Sequence, residues 1–495
     1  MQIFFIQDDQ GESCRCVSAL RLSRPLLLMN SPPWYPLMAT LTPVMIHWFR
    51  RDLRLAHNPA LAWIEAQQAS LLPCYIHAPE EEAPWPPGAA SRWWLHHSLT
   101  ALASDLAAHG VALQSRRAAS SALSLLELCR ASGASTVTAN RRYEPTLAAR
   151  DRQVAAQLAH HGITLQLFDD GILCPPGELL NRQQRPYRVF TPFAATLRQR
   201  LITPPATAPA APSRSEQRVA LAATAEAEIA ALHLLDPHPW HQRLQHHWRP
   251  GETSATAALQ RFLESALGDY PAAREIPASP GTSRLSPHLH FGELALSQIL
   301  TPLLPLLGRE GGAAAAAGAE RFYLQLAWRE FARHLLHHYP DSDQKPLNPR
   351  FHTGALWHHQ PAALTAWQRG RSGIALVDAG MAELWESGWM HNRVRMVVGS
   401  LLTKNLAIHW LEGARWFWDT LVDADLANNS LGWQWIAGCG ADAAPYFRIF
   451  NPETQAQRFD PEQRYRNRWC QLPLATPMVD LKQSRAAALD RYRRG

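Results

Sequence analysis

Met45-Ile46-His47-Trp48-Phe49, followed at once by Arg50-Arg51-Asp52-Leu53-Arg54, is the stretch on which the fold turns. A short run of apolar and aromatic side chains closed by a charged turn reads as a buried strand. Further apolar runs at Leu71 to Ile76, Thr136 to Ala139 and Thr164 to Phe168 alternate with helix-length patterns at Ser91 to His109 and Leu147 to His160. Strand and helix in alternation predict an α/β fold, a doubly wound, Rossmann-like parallel sheet. A nicotinamide-binding unit would carry GxGxxG after its first strand. The charged turn stands there instead, so that fingerprint is absent.

Upstream, residues 1–44 lack sustained periodicity and contain Pro32-Pro33, Pro36 and Pro43. They read as a loose extension, and Met38 or Met45 would serve as a start without loss of a recognisable element. Residues 45–170 make the α/β domain. From 171 to 250 the pattern fades into Pro- and Ala-rich sequence such as Pro204-Pro205-Ala206-Thr207-Ala208-Pro209, expected to drape over the surface as a linker. From 251 to 480 strand signals nearly vanish, and helical patterns follow at Ala255 to Leu267, Ala319 to His338 and His391 to Trp410. This predicts an all-helical second domain, with 481–495 as a tail. The Ala-rich stretch Gly311 to Gly318 is low-complexity and suggests no function.

A chain of 495 residues is long enough for two cores. Its formal charge of +6 suits a polyanionic partner and equally a mildly basic surface. Seven cysteines (Cys14, Cys16, Cys74, Cys129, Cys174, Cys439, Cys470) form no CxxC pair, which argues against a disulfide framework or a zinc site. No apolar run is long enough to span a bilayer, and Asp8 and Asp9 stand where a signal peptide would be basic and then apolar. A soluble cytoplasmic protein is expected. The 19 tryptophans serve core packing, yet so many large rings also suit stacking on bases or electron transfer.

Four stretches carry polar chemistry. Gly281-Thr282-Ser283-Arg284-Leu285-Ser286-Pro287 gathers hydroxyls and a cation before a predicted helix, with Ser286 and Pro287 as cap and first turn. Such a start can seat a phosphate or serve as a plain cap. Phe322, Gln325, Trp328 and Arg329 share one helical face, where an aromatic, an amide and a guanidinium would hold an extruded base; such a stripe is also ordinary core. Asn392, Arg395, Met396 and Gly399 put polar groups on a helix that should be apolar, and those groups need partners. The run Asp423-Ala424-Asp425-Leu426-Ala427-Asn428-Asn429 supplies carboxylates and amides to meet them.

With these residues the chain resembles the photolyase and cryptochrome family from Met45 to the C-terminus, most nearly the class I bacterial enzymes for cyclobutane pyrimidine dimers. The resemblance rests on GTSRLSPHLHFGEL at 281–294, WREF at 328–331, GWMHNRVRM at 388–396, DADLANNSLGWQW at 423–435 and DAAPYFRIFNP at 442–452. It implies an N-terminal antenna domain and a helical domain that binds FAD and the lesion. It implies light-driven repair of UV-damaged DNA by electron transfer from reduced FAD to a flipped-out dimer, in a monomer with no obligate protein partner, held near the nucleoid by DNA.

By that resemblance Tyr270, Thr282, Ser283, Arg284, Leu285 and Ser286 hold the FAD phosphates and ribityl chain. Arg395 pairs with Asp423 beside the flavin ring, with Asp425 nearby. Asn429 faces flavin N5, where plant cryptochromes typically have Asp and animal ones Cys; an amide there suits a reduced anionic flavin. Trp433, Trp410 and Trp357 match the family's electron-carrying tryptophan chain. Trp328 and Trp435 would flank the dimer, Asn392 and Met396 line the cavity, and Arg274, Arg393 and Arg448 grip phosphates.

Photolyases for (6-4) photoproducts typically have His where Asn392 and Met396 stand, and neither Asn nor Met can do their acid–base work. Gln325 departs the other way: bacterial dimer photolyases typically have Glu there and (6-4) enzymes often Gln. Two cavity residues against one favour the dimer. A cryptochrome is the rival from another class, and both Asn429 and an end at Gly495 without a long tail speak against it. Tyr143-Glu144-Pro145-Thr146-Leu147 resembles the family's folate region, but Thr146 and Leu147 replace the Asn and Glu that typically anchor the folate. A second antenna chromophore is therefore left open between methenyltetrahydrofolate, a deazaflavin and none.

Overall fold

The computed structural model describes residues 42–201, 218–308, 314–352, 356–443, 448–470 and 473–494. The extension before Thr42, the Pro-rich run at 204–209 and the first part of the Ala-rich stretch lie outside the described residues. Five strands, β1 (Val44–Phe49), β2 (Ser70–His77), β3 (Gln114–Arg117), β4 (Thr136–Asn140) and β5 (Thr164–Phe168), form one parallel sheet of order β3-β2-β1-β4-β5. Helices α1 (Pro59–Ala66), α2 (Ala89–Ala108), α3 (Ser121–Ser132) and α4 (Pro145–His160) make the crossovers. Four strands match expectation. β3 does not: Gln-Ser-Arg-Arg is a short edge strand without an apolar run to betray it.

The charged turn after β1 has a structural reason. Asp52 is buried and accepts from His47 Nε2 (3.0 Å), the Arg50 backbone N–H (2.8 Å) and Asn140 Nδ2 (2.8 Å). Burial alone would raise its pKa, but the His47 contact and the Arg50 N–H outweigh that and hold it below the usual carboxylate range. Arg54, also buried, donates to the Gly292 carbonyl (2.8 Å) and Asp170 (2.7 Å), which fastens the sheet domain to the helices. Gly292 has φ +65°, and a Cβ there would strike the Arg51 carbonyl, so the close approach needs glycine.

The segment 171–250 is more than the surface linker expected. It carries α5 (Phe190–Leu201) and α6 (Arg218–Ala230). Phe193 and Leu197 of α5 are buried beside Phe331 and Leu335. Glu228 on α6 accepts the Ser115 backbone N–H at 2.7 Å, which covers the open edge of β3. Trp248 joins Trp94, Phe291 and Trp389 in a core shared by sheet and helices. Residues from Thr42 onward accordingly form one compact unit, so the sequence boundary between sheet and helices is not a packing boundary.

The rest is helical: α7 (Glu252–Arg261), α8 (Tyr270–Ala273), α9 (Ser286–His290), α10 (Leu296–Leu303), α11 (Ala314–His338), α12 (Pro361–Gln368), α13 (Ala375–Ser387), α14 (Asn392–Ser400), α15 (Trp410–Thr420), α16 (Leu426–Ala437), α17 (Pro452–Phe459), α18 (Arg464–Trp469) and α19 (Leu481–Arg494). The pattern from His391 to Trp410 is not the single helix expected. α14 runs into a π-turn at Leu401–Asn405, Ala407 takes φ +54°, and a new helix starts at Trp410. Each helix is capped by the histidine before it: His391 accepts from the Arg393 N–H and His409 from the Leu411 N–H, both at 3.2 Å. No helix among the described residues is long and apolar enough to cross a membrane.

Candidate flavin and lesion site

The loop 281–286 runs against α8, so closely that a Cβ on Gly281 would strike Ala273. Tyr270 opens α8, buried edge-on between Phe262 (5.3 Å) and Phe322 of α11 (5.5 Å). Ser286 is not the cap expected. α9 is a single turn whose N-cap position is Leu285, and the Ser286 hydroxyl instead donates to Asp423 at 2.7 Å. Asp423 also accepts from Arg395 Nη2 at 3.0 and 3.1 Å, and Arg395 Nε donates to the Met390 carbonyl at 2.7 Å. The expected Arg395–Asp423 pair is thus present, with Ser286 as a third member. Arg284 turns away from the hydroxyls: its guanidinium lies over Trp248 (4.2 Å) and Trp389 (4.9 Å). Thr282 and Ser283 are half-buried in the loop, and Leu285 is buried beneath it.

Asp425 caps α16 by accepting the Asn428 backbone N–H at 3.0 Å. It also faces His290 (3.8 Å) and Arg333 (3.6 Å), a pairing sequence reasoning missed because the three lie far apart in the chain. Burial would raise its pKa, but the contacts with His290 and the charge of Arg333 hold it well below the usual range. These groups line a cavity that also takes in Arg51, Arg142 and Glu144 from the strand ends, at the switch point of the sheet. One turn into α16, Asn429 donates to the Ala414 carbonyl at 2.9 Å. Of the folate-like positions, Glu144 is bound to Arg142, and Leu147 is buried apolar surface with no polar grip to offer.

Of the three tryptophans expected to form a relay, Trp410 opens α15, Trp433 lies on α16, and Trp357 lies before α12. Trp433 is buried against Gly413, where a Cβ would strike the outer edge of its ring, and Gly413 lies one turn from Trp410. Trp410 is fully buried, and its indole N–H has no partner among the described residues. His409 bridges outward, 5.8 Å from Trp410 and 4.9 Å from the half-buried Trp357 (ring centroids).

Of the residues expected to meet the lesion, Gln325 and Trp328 are half-buried on α11, and Trp328 stacks on Phe190 at 3.8 Å and 8°. Gln325 donates to the Arg321 carbonyl at 3.4 Å. Arg329, expected on the same face, is instead engaged by the Gly171 (2.7 Å) and Leu289 (3.2 Å) carbonyls. Trp435 donates its indole N–H to the Asp442 carbonyl at 3.1 Å and faces Phe450 at 6.1 Å. At the start of α14 Asn392 is exposed, 4.0 Å from the Met396 sulfur. Arg393 pairs with Glu275 and lies 4.2 Å from the Phe459 ring. Glu275 also meets Arg274 (3.5 Å) and Arg321 (3.9 Å), a convergence the sequence did not suggest. Arg448 is exposed, just beyond residues 444–447, which lie outside the described residues.

A half-buried ion pair, a hydroxyl-bearing loop and a buried Arg274 N–H with no partner among the described residues are a donor set that fits a dinucleotide with a diphosphate and a ring with polar edges. Residues 45–213 match the DNA photolyase family model, and residues 322–473 match that of the FAD binding domain of DNA photolyase. The chain is 40% identical over 433 residues to a deoxyribodipyrimidine photo-lyase from Agrobacterium fabrum, covering 87% of this chain and 88% of that one. It is 35% identical to Cryptochrome-1 of Arabidopsis thaliana, covering 86% of this chain and 62% of that one. Among solved structures, a bacterial class III photolyase from Agrobacterium tumefaciens superposes with a TM-score of 0.81 at 36% identity, covering 93% of this chain and 99% of that one. The chain belongs to the DNA photolyase and cryptochrome family, and FAD is its cofactor.

Proposed function

We propose that this protein splits cyclobutane pyrimidine dimers in DNA under blue light. The observation that carries the reading is the identity of the four residues at the positions expected to meet the lesion, Trp328, Trp435, Asn392 and Met396: two indoles able to stack on a flipped pyrimidine pair, and no imidazole among the four. Dimer splitting needs an electron and a dry, well-oriented site but no proton shuttle. Hydroxyl transfer in a (6-4) lesion needs an acid–base group. The photo-lyase relatives from Agrobacterium fabrum and Escherichia coli support the same reading by name. Gln325 is the one residue that favours the (6-4) alternative.

Reduced FAD, when bound and excited, supplies the electron that opens the cyclobutane ring. The residues around it do the rest. Arg395, fixed by Asp423, presents a steady positive charge, and Asn429 offers an amide that donates without releasing a proton. Trp433, Trp410 and Trp357 carry electrons inward from the surface to restore the reduced state, with Phe417 packed against Trp433 and both inner indoles buried from water. Gln325 donates from its amide toward a pyrimidine carbonyl, and Arg274, Arg393 and Arg448 hold the kinked strand by its phosphates without reading sequence. The test is recovery of pyrimidine absorbance in UV-irradiated oligothymidylate mixed with the reduced protein. Recovery in blue light and none in the dark supports the reading.

A further inference from the structure

We propose that Glu383 is a positioning residue that holds Arg395 in place through the peptide plane between Met390 and His391; this rests on the placement of Arg395 beside the flavin ring proposed above. Glu383 is buried near the end of α13, shortly before the left-handed Gly388. Its Oε2 accepts the His391 backbone N–H at 3.0 Å and the hydroxyl of Tyr465, itself buried on α18, at 2.6 Å. The same peptide unit presents the Met390 carbonyl on its opposite side, because a trans peptide is planar and points its N–H and C=O in opposite directions. That carbonyl accepts Arg395 Nε at 2.7 Å. Arg395 Nη2 in turn reaches both oxygens of Asp423, at 3.0 and 3.1 Å.

One flat unit is therefore gripped at its N–H by Glu383 and used at its carbonyl by Arg395. Asp423 takes its bearing from the same loop, since the Val422 backbone N–H donates to the Gly388 carbonyl at 2.8 Å. Both members of the ion pair are thus set against residues 388–390, which Glu383 ties to α13 and α18. An acceptor fixed on Nε sets the plane of a guanidinium and with it the direction of the remaining N–H groups. A cation held in one place favours a reduced, anionic ring over the neutral oxidised one. Arg395 is 22% exposed, so without that acceptor its head can swing toward water and lose part of this effect. Removing Glu383 leaves the His391 N–H buried without its acceptor and the Met390 carbonyl free to turn away.

The experiment is a redox titration of the FAD-loaded full chain, followed by flavin absorbance, with the melting temperature recorded for each variant. Glu383→Ala should lower the ratio of reduced to oxidised FAD at a fixed potential about fivefold, on the scale of one hydrogen bond lost. Glu383→Asp draws the carboxylate back by one methylene and should shift the ratio in the same direction; if Glu383→Ala does not fold, Glu383→Asp decides. Glu383→Gln keeps an acceptor oxygen at the same reach and should restore most of the parental ratio. Arg395→Gln should lower the ratio at least as far, and adding Glu383→Ala to it should change little, because Glu383 acts through Arg395. If Arg395→Gln lowers the ratio and neither Glu383→Ala nor Glu383→Asp does, whatever their melting temperatures, the positioning role is wrong and the flavin site stands. Equal shifts in Glu383→Gln and Glu383→Ala, or shifts that add in full to that of Arg395→Gln, also overturn it. If Arg395→Gln itself titrates like the parent, the placement of Arg395 beside the flavin falls and the role of Glu383 with it.

Discussion

Trp433 owes its place to Gly413, the residue of α15 that leaves room for the outer edge of the indole. Replacing Trp433 with Phe keeps most of the bulk in a buried site and removes a ring that can be oxidised at a reachable potential. Light-driven reduction of bound FAD should be lost, while repair by chemically reduced protein stays near the parental level. Absorbance under blue light with an external donor reads the first, and dimer reversal reads the second; unchanged photoreduction would remove Trp433 from the relay. Gln325 is the residue on which substrate choice is most exposed. A Glu there, kept neutral by a dry cavity beside a reduced flavin, would be a stronger donor to a pyrimidine carbonyl than an amide. Gln325→Glu should preserve or raise the yield of dimer splitting per absorbed photon, and should create no (6-4) repair while Asn392 and Met396 remain. Loss of dimer repair with folding and FAD content intact would contradict that role.

At the scale of elements, α14 brings Arg393, proposed to grip DNA phosphate, to Glu275, which also meets Arg274 and Arg321. A carboxylate shared by three arginines competes with backbone phosphate for the same guanidinium groups. Arg393→Ala should flatten the log–log salt dependence of binding by about 1. Glu275→Gln should do the opposite of weakening: damaged and undamaged DNA should both bind more tightly. Anisotropy titrations over a range of salt check both, and an unaltered slope in Arg393→Ala would place that residue outside the interface. The sequence shows why some of this was legible and some was not. Four strands and the polar face of α14 announce themselves by period. The break between α14 and α15 does not, because apolar residues continue through the π-turn and the caps are histidines, not the usual Ser or Asp. Phe190 and Glu275 were missed for another reason: what they touch lies on other elements, far away in the chain.

Across the whole molecule, burial keeps many histidines neutral. His77, His97, His290, His334, His391 and His409 are each lowered to about 4, with desolvation as the largest cause. Between that value and the ordinary 6.5 the unfolded chain binds these protons and the native one does not, so stability falls as pH falls through this window. The depressed carboxylates Asp52 and Asp425 lose their contribution only when pH drops below the ordinary carboxylate range. The melting temperature should therefore decline by several degrees from pH 7 to pH 5, in the window where histidines act. A flat profile there would mean these imidazoles are not held neutral.

The central claim, that reduced protein and blue light split cyclobutane dimers, is tested most directly by one side-by-side measurement. The chemically reduced protein is illuminated with two oligonucleotides, one carrying a single thymine dimer and one a single (6-4) photoproduct, and reversal of each is followed per absorbed photon. The account predicts steady reversal of the dimer, none of the (6-4) lesion, and none of either in the dark. Reversal of the (6-4) lesion with the dimer untouched, or of neither in a protein that holds FAD and can be reduced, would contradict it.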